Sequence, residues 1–226
     1  PIPHLGSAGC GFATATLQWL MLITLANYIY RAKAYRSTQV FSHWEKINPV
    51  LVKRILKLGL PIGLAVFFEV SIFSTGAIVL SPLGDTLVAA HQIAMSVTSQ
   101  LFMIPMSLAI ALTIRVGMYY GEKNWVAMRH VQKLGLATAT FFAICTMSLI
   151  WFARPQIVAI YTQDPAVFNV ALYLLLFAMA YQLMDAWQVG AAGCLRGMQD
   201  TKGPMWITLI AYWVIAFPVG IYLARV

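Results

Sequence analysis

Six long apolar runs dominate this 226-residue chain and limit what it can fold into. They cover, to within a few residues, positions 9–30, 58–80, 87–114, 134–153, 167–195 and 205–223. A helix needs about 20 apolar residues to cross a hydrocarbon core of about 30 Å, and each run is close to that length or exceeds it. The runs are continuously apolar and lack the alternation of barrel strands. We therefore predict an all-α polytopic membrane protein with six transmembrane helices.

The charges are few and unevenly divided: 10% of the residues are charged, 61% are hydrophobic, and the net charge is +8. Most of the Lys and Arg residues fall in alternate connections between the apolar runs: Arg31, Lys33, Arg36, Lys46, Lys53, Arg54, Lys57, Arg115, Lys123, Arg129, Lys133, Arg196 and Lys202. The other side has only Arg154 and Arg225. This alternation is the positive-inside signal, so we predict that the basic connections are cytoplasmic and that both ends of this chain lie outside. It also argues against nucleic acid as a partner.

The start of the chain and its cysteines add two expectations. The chain begins with Pro1 and enters an apolar run without the basic segment of a signal peptide, so we expect a piece of a longer polytopic protein. Cys10, Cys145 and Cys194 show no paired spacing and lie in or beside apolar runs. They are predicted to be buried thiols rather than a disulfide or metal framework.

The connection at residues 31–57 is the only one long enough for structure of its own. Asn48-Pro49 predicts a helix start, and apolar residues at helical spacing follow, opposite Lys53, Arg54 and Lys57. We predict a short amphipathic helix at the cytoplasmic surface, leading into the second span. Its basic face is interpreted as a solvated topology signal, with specific lipid binding as the alternative.

Glycine pairs four residues apart occur at 59 and 63, at 117 and 121, and at 193 and 197. Such spacings allow membrane helices to approach closely. They are common in membrane proteins, and the sequence does not say which pairs are used.

Two carboxylates, Glu69 and Asp185, lie inside apolar runs, whereas the other acids fall in the polar breaks. A charge near the bilayer centre costs about 3 kcal/mol or more, so such residues usually face a bundle interior or a wet cavity and mark an ion or substrate pathway. Each lies about ten residues from the predicted inner end of its span, or roughly 15 Å deep. Both could therefore share one polar chamber. Tyr181, one turn from Asp185, could offer its hydroxyl oxygen there.

Such a pair has the chemistry of an antiporter. Desolvation favours the protonated carboxyl and a bound cation favours the ionised one, so protons and cations compete for the same oxygens. The alternative is that Glu69 and Asp185 only hydrogen-bond neighbouring helices, with no ion passing, and that Tyr181 is an ordinary packed aromatic residue.

The third run has a second candidate site around Pro105. Met95, Phe102, Met103 and Met106 lie near this proline, which removes a backbone hydrogen bond and is expected to bend the helix. Adaptable methionines and aromatic faces suit a pocket for varied lipophilic cations. Simple core packing is the better explanation for each residue when it is considered alone.

Several enzyme classes leave no trace in the sequence. It has no phosphate-binding loop, no His-Glu-x-x-His, no Gly-x-Ser-x-Gly and no Gly-x-Gly-x-x-Gly turn. An intramembrane aspartic protease would also use two buried carboxylates, but no Gly-x-Gly-Asp motif surrounds Asp185. We predict a protein that is not an enzyme and needs no cofactor besides a coupling ion, Na+ or H+.

Five short motifs, in order, resemble the multidrug and toxic compound extrusion (MATE) transporters, and within them the NorM-type bacterial branch. They are GLPIG at 59–63 followed by Glu69, AAHQI at 89–93, FMIP at 102–105 with Ser107, RVG at 115–117, and LRG at 195–197 ahead of Asp200. The resemblance covers nearly the whole chain.

The resemblance implies a bacterial inner-membrane transporter of twelve helices in two lobes, which exports lipophilic cationic drugs and dyes in exchange for Na+ or H+ and can confer antibiotic resistance. Residues 1–30 would be the last helix of the first lobe, residues 31–57 the cytoplasmic linker, and residues 58–226 five helices of the second lobe. Glu69, Asp185 and Tyr181 match the second-lobe cation site, and Phe102, Met103 and Met106 would line the drug path.

Half of such a transporter cannot alternate access alone, so we expect this piece to need the missing N-terminal half. A lipid-linked precursor flippase of related architecture is the main alternative, and a channel is a weaker one. A flippase should present a cationic cavity to its pyrophosphate head group, whereas the charges within the predicted spans are acidic.

The predicted topology can be tested by cysteine labelling in intact cells. In a cysteine-free background, a membrane-impermeant maleimide should label Asp164→Cys from outside and leave Glu122→Cys unlabelled until the membrane is permeabilised, because the basic connections are retained inside. The reverse labelling pattern would contradict the orientation.

Overall fold

The computed structural model describes residues 6–32 and 47–225, and all regular structure within them is helical. The helices are α1 (Gly6–Arg31), α2 (Pro49–Leu80), α3 (Asp85–Gly121), α4 (Trp125–Tyr161), α5 (Pro165–Gly197), α6 (Lys202–Leu209) and α7 (Phe217–Arg225). A 3-10 turn, Ser81–Leu83, follows α2. A π-helical segment, Ile210–Ala216, joins α6 to α7. Together these last elements include one span, Lys202–Tyr222.

The prediction of six membrane-spanning helices is confirmed for the described ranges, in which six helices are long and apolar enough to cross a bilayer. Their ends were less well predicted. α3 and α4 have 37 residues each and extend beyond the apolar runs, so that the basic residues Arg115, Arg129 and Lys133 lie within the helices. Hydrophobicity marks the membrane-embedded part of a helix, whereas backbone hydrogen bonding continues until a cap or turn ends it.

Polar caps explain where several helices begin. The Val50 N–H donates to Asn48 Oδ1 at 3.0 Å, and Pro49 takes the first helical position, where a proline N–H is not needed. Asn124 accepts from the Ala127 N–H at 3.1 Å to begin α4. Asp164 accepts from the Ala166 N–H at 2.9 Å to begin α5. The polar breaks before α4 and α5 are therefore tight turns between successive helices.

The predicted helix start at Pro49 is confirmed, but the predicted short amphipathic helix is not a separate element. α2 runs without interruption from Pro49 to Leu80. Residues 33–46 of the predicted linker lie outside the described residues. The chain divides into two compact units, Pro1–Val52 and Lys53–Val226. In the first unit, none of the described side chains of α1 is buried.

The core of the second unit lies between α3, α4 and α5. Its buried residues are mostly small or β-branched, and the main cluster contains Ala90, Ile93, Ala94, Val97, Ile150, Val158, Val167, Ala171 and Leu175. Short turns make α4 antiparallel to both neighbours, so α3 and α5 run parallel. α2 adds only Pro61 and Ala65 to the buried residues. Three helices therefore form the packed centre of this unit.

The seam between α3 and α5 depends on glycines of α5. A Cβ placed on Gly193 would lie 2.6 Å from the Ala109 carbonyl oxygen, and one on Gly197 would lie 2.7 Å from the Thr113 carbonyl oxygen. The Thr113 hydroxyl donates to the Gly193 carbonyl at 2.9 Å. Of the predicted glycine pairs, 193 and 197 thus pack closely, whereas Gly59 and Gly63 have nothing within 4 Å of an added Cβ.

The prediction of three buried thiols is wrong for two of them. Cys194 is buried, but Cys10 and Cys145 are exposed, and all three thiols are free. A helix that crosses a bilayer is apolar on its outer face as well as its inner face, so an apolar run does not establish that a residue in it faces protein.

The close contact between α3 and α5 predicts that the loss of stability on replacing a glycine depends strongly on its position. Gly193→Ala should lower the free energy of unfolding by about 2 kcal/mol, because its methyl group would meet a backbone carbonyl that cannot move aside. Gly63→Ala should change it by less than about 0.5 kcal/mol. Thermal unfolding of the protein in detergent measures both, and equal losses would contradict the packing described for the seam.

Candidate functional site

The two membrane-buried carboxylates lie near each other in the second unit. Glu69 is half-buried on α2 and Asp185 is half-buried on α5. Their side chains are close enough for the two charges to interact. The sequence-predicted pair thus comes within electrostatic range, although the two residues are 116 positions apart in the chain. Whether the pair binds an ion stays a prediction.

Two further polar residues lie on the same face of α5 as Asp185. Tyr181 comes one turn before Asp185 and Gln188 one turn after it. The Tyr181 side chain lies near buried Thr98 on α3 and interacts electrostatically with Asp185. Thr98 itself donates to the Ala94 carbonyl at 2.9 Å within α3. The hydroxyl oxygen of Tyr181 carries lone pairs that can contact a donor or a cation.

A second tyrosine joins the group from the π-helical segment, and sequence reasoning missed it. The Tyr212 hydroxyl lies 3.4 Å from both Nε2 and Oε1 of Gln188, so it can accept from the amide or donate to it. It also interacts electrostatically with Glu69, Asp185 and Tyr181. No sequence signal singled out Tyr212, because a tyrosine in an apolar run has no distinctive neighbours there. We call Glu69, Tyr181, Asp185, Gln188 and Tyr212 the acidic cluster.

The acidic cluster is rich in oxygen atoms and poor in positive charge. Among the described residues, neither carboxylate is paired with a basic side chain, and the basic residue whose charge acts on Glu69 is Arg196, three turns beyond Asp185 on α5. Within residues 6–32 and 47–225, no group of three or more His, Cys, Asp or Glu side chains is arranged to hold a metal. Carboxylate, hydroxyl and amide oxygens suit a hard cation rather than a thiophilic transition metal.

The residues predicted to line a drug path are less clearly grouped. Phe102 and Met106 are half-buried, whereas Met103 is 59% exposed. α3 continues as one helix through Pro105, which is buried. A crevice too small to hold a water molecule lies beside Pro105, and its lining includes Phe142 from α4 but none of these three side chains. Their role in binding drugs stays a prediction.

Two indole N–H groups join helices next to the acidic cluster. Trp187, two residues after Asp185, donates to the Thr140 hydroxyl of α4 at 2.8 Å. Trp213, next to Tyr212, donates to the Phe68 carbonyl of α2 at 3.3 Å. Both contacts hold backbone segments that present residues of the cluster.

Comparison with known proteins yields one family match and close bacterial relatives. Residues 61–222 match the MatE family model. The whole chain is 94% identical to a protein of Acinetobacter baylyi (strain ATCC 33305 / BD413 / ADP1) called probable multidrug resistance protein NorM, and covers 50% of it. It is 42% identical over 218 residues, or 96% of the chain, to the multidrug resistance protein NorM of Aliivibrio fischeri (strain ATCC 700601 / ES114), and covers 47% of that protein. The chain thus spans about half the length of these relatives.

The contact between Trp187 and Thr140 predicts a measurable loss of stability. Trp187→Phe keeps an aromatic ring but removes the indole N–H, so the free energy of unfolding should fall by about 1 kcal/mol. Trp206→Phe is the matched control, since Trp206 is 55% exposed on α6. Thermal unfolding in detergent compares the two variants, and equal effects would show that the hydrogen bond does not stabilise the fold.

Proposed function

Because this chain belongs to the MatE family, we propose that it is part of a secondary transporter that exports lipophilic cationic drugs and dyes in exchange for Na+ or H+. The names of its two bacterial relatives support drug export. The observation that supports ion coupling is the proximity of Glu69 and Asp185 on otherwise apolar spans. We propose a transporter rather than an enzyme, in the inner membrane of a bacterial cell.

The proposed transporter has two six-helix lobes around a central cleft. Residues 1–30 form the last helix of the first lobe, residues 31–57 form the cytoplasmic linker, and residues 58–226 form five helices of the second lobe. The relatives are about twice as long as this chain, which supports a partner lobe in the rest of the protein. The exposed apolar surfaces of the described helices would then face lipid or that lobe.

The coupling ion binds, in this proposal, between Glu69 and Asp185 with help from the Tyr181 hydroxyl. Two carboxylates brought together in a poorly solvated place repel each other when both are ionised. Either a cation or a proton relieves this repulsion, and the two compete because they use the same oxygens. The site can therefore exchange its occupant with the side of the membrane to which it is open.

Ion binding moves drug only if the ion prefers one arrangement of the lobes. A ligand shifts a two-state equilibrium by no more than the difference between its affinities for the two states. We propose that the cation favours the arrangement that releases drug, and that the ion then leaves inward down its gradient. Phe102, Met103 and Met106 would contact the drug, because aromatic faces and polarizable thioethers accept varied cations.

Dye efflux from vesicles tests the coupling. The full-length transporter is reconstituted, and efflux of a fluorescent cationic dye is followed under imposed sodium or proton gradients. Asp185→Asn and Glu69→Gln should each lower gradient-driven efflux at least about tenfold, as expected for the loss of an ion ligand.

Matched controls come from acids outside the spans. Asp164→Asn keeps an oxygen that can cap α5, and Glu122→Gln changes an exposed residue after α3. Both controls should transport as wild type does. If Asp185→Asn also transports normally, the paired acids are structural and the coupling site lies elsewhere.

A further inference from the structure

α2 carries one of the two paired acids, yet it is loosely held. Only Pro61 and Ala65 of this 32-residue helix are buried in the described structure, whereas α5 packs between α3 and α4. The separation between Glu69 and Asp185 therefore depends on the contacts that hold α2 against the rest of the second unit. A direct polar contact exists at the right level: the Trp213 indole N–H donates to the carbonyl of Phe68, the residue before Glu69.

The residue before Trp213 contacts α5, the helix that bears the other acid. Tyr212 hydrogen-bonds Gln188, one turn from Asp185 on α5. Two successive residues of the last span thus reach the two helices that bear the acids, each within a turn of its carboxylate. Successive side chains on a helix point in different directions, which allows neighbours in sequence to contact different helices.

The local backbone has an unusual form at this point. Residues Ile210–Ala216 are π-helical, and the Phe217 N–H donates to the Tyr212 carbonyl, five residues back. Pro218 follows at once and cannot donate, and its ring crowds the carbonyl four residues earlier, which a wider turn relieves. π-helical turns are rare and frequently occur at functional sites.

We propose that Tyr212 and Trp213 are positioning residues: presented by the π-helical segment, they join α5 to α2 and so set the separation at which Glu69 and Asp185 share one ion. This inference rests on the proposed ion-coupled transport. An ion held by two carboxylates binds tightly only when both reach it without straining their helices. A movement of the last span would change that separation and therefore the affinity for the ion.

The test uses the full-length transporter with Tyr212→Phe and Trp213→Phe, which keep the rings and remove one hydroxyl or indole N–H. Tyr222→Phe and Trp206→Phe are matched controls, since both side chains are exposed on the same span. The first measurement is hydrogen–deuterium exchange in ion-free buffer. Trp213→Phe should speed exchange about fivefold in α2 around residues 66–73 and leave the core of α3, α4 and α5 unchanged, as expected for one lost hydrogen bond.

The second measurement is ion affinity. If Tyr212 and Trp213 only stabilised the fold, their substitution would not weaken ion binding while leaving dye binding unchanged. Each variant should weaken the apparent affinity for sodium about fivefold, or shift the pH of half-maximal efflux if protons drive export, with dye affinity in ion-free buffer unchanged. Ion affinity equal to wild type in both variants overturns the inference, even if exchange in α2 rises. A parallel loss of dye and ion affinity also overturns it, because that indicates general unfolding.

The wild-type protein separates this inference from the proposed function. If wild-type dye efflux responds to neither gradient, ion coupling itself is wrong and the positioning role is wrong with it. If wild type is ion-coupled and loses coupling in Asp185→Asn, while Tyr212→Phe and Trp213→Phe behave as the controls do, only the positioning role is wrong.

Discussion

Close contact between the backbones of α3 and α5 is the constraint on which the rest of the second unit depends. Gly193 and Gly197 allow carbonyl groups of α3 to approach where any side chain would collide, and Thr113 adds a hydrogen bond across the seam. In a bilayer the lipid is as apolar as a leucine side chain, so helices associate through close packing and hydrogen bonds rather than through exclusion of water. The seam gives α5 a fixed position, and with it the face that presents Tyr181, Asp185 and Gln188.

The acidic cluster spans a boundary between firmly and loosely packed elements. Asp185 projects from a helix with neighbours on two sides, whereas Glu69 projects from a helix with few buried residues. Elements that move in function come from the less stable part of a structure. In the proposed transporter, a site split in this way would change its affinity for the ion through a small displacement of one helix, as binding on one side and release on the other require.

Sequence reasoning found the helices and the acid pair for a simple physical reason. An apolar run of spanning length identifies a membrane helix, and a charge inside such a run is costly in the bilayer. Both features are therefore visible in the sequence without knowledge of which residues contact each other in the fold. The same reasoning failed for Cys10 and Cys145, and it could not choose among the glycine pairs. It also missed Tyr212 and the π-helical turn, because hydropathy does not distinguish an inward from an outward face of a membrane helix.

The sequence by itself determined the class of the protein, the number of its spans, the distribution of its basic residues and the two acids within the membrane-embedded part. These features depend on transfer free energies, which each residue contributes locally. Only the tertiary structure decided which glycines allow close approach, which tyrosines join Glu69 and Asp185, and how the last span contacts both helices that bear them. Those contacts join residues that are distant in the chain, and their positions follow from helix rotation and packing, which local composition does not encode.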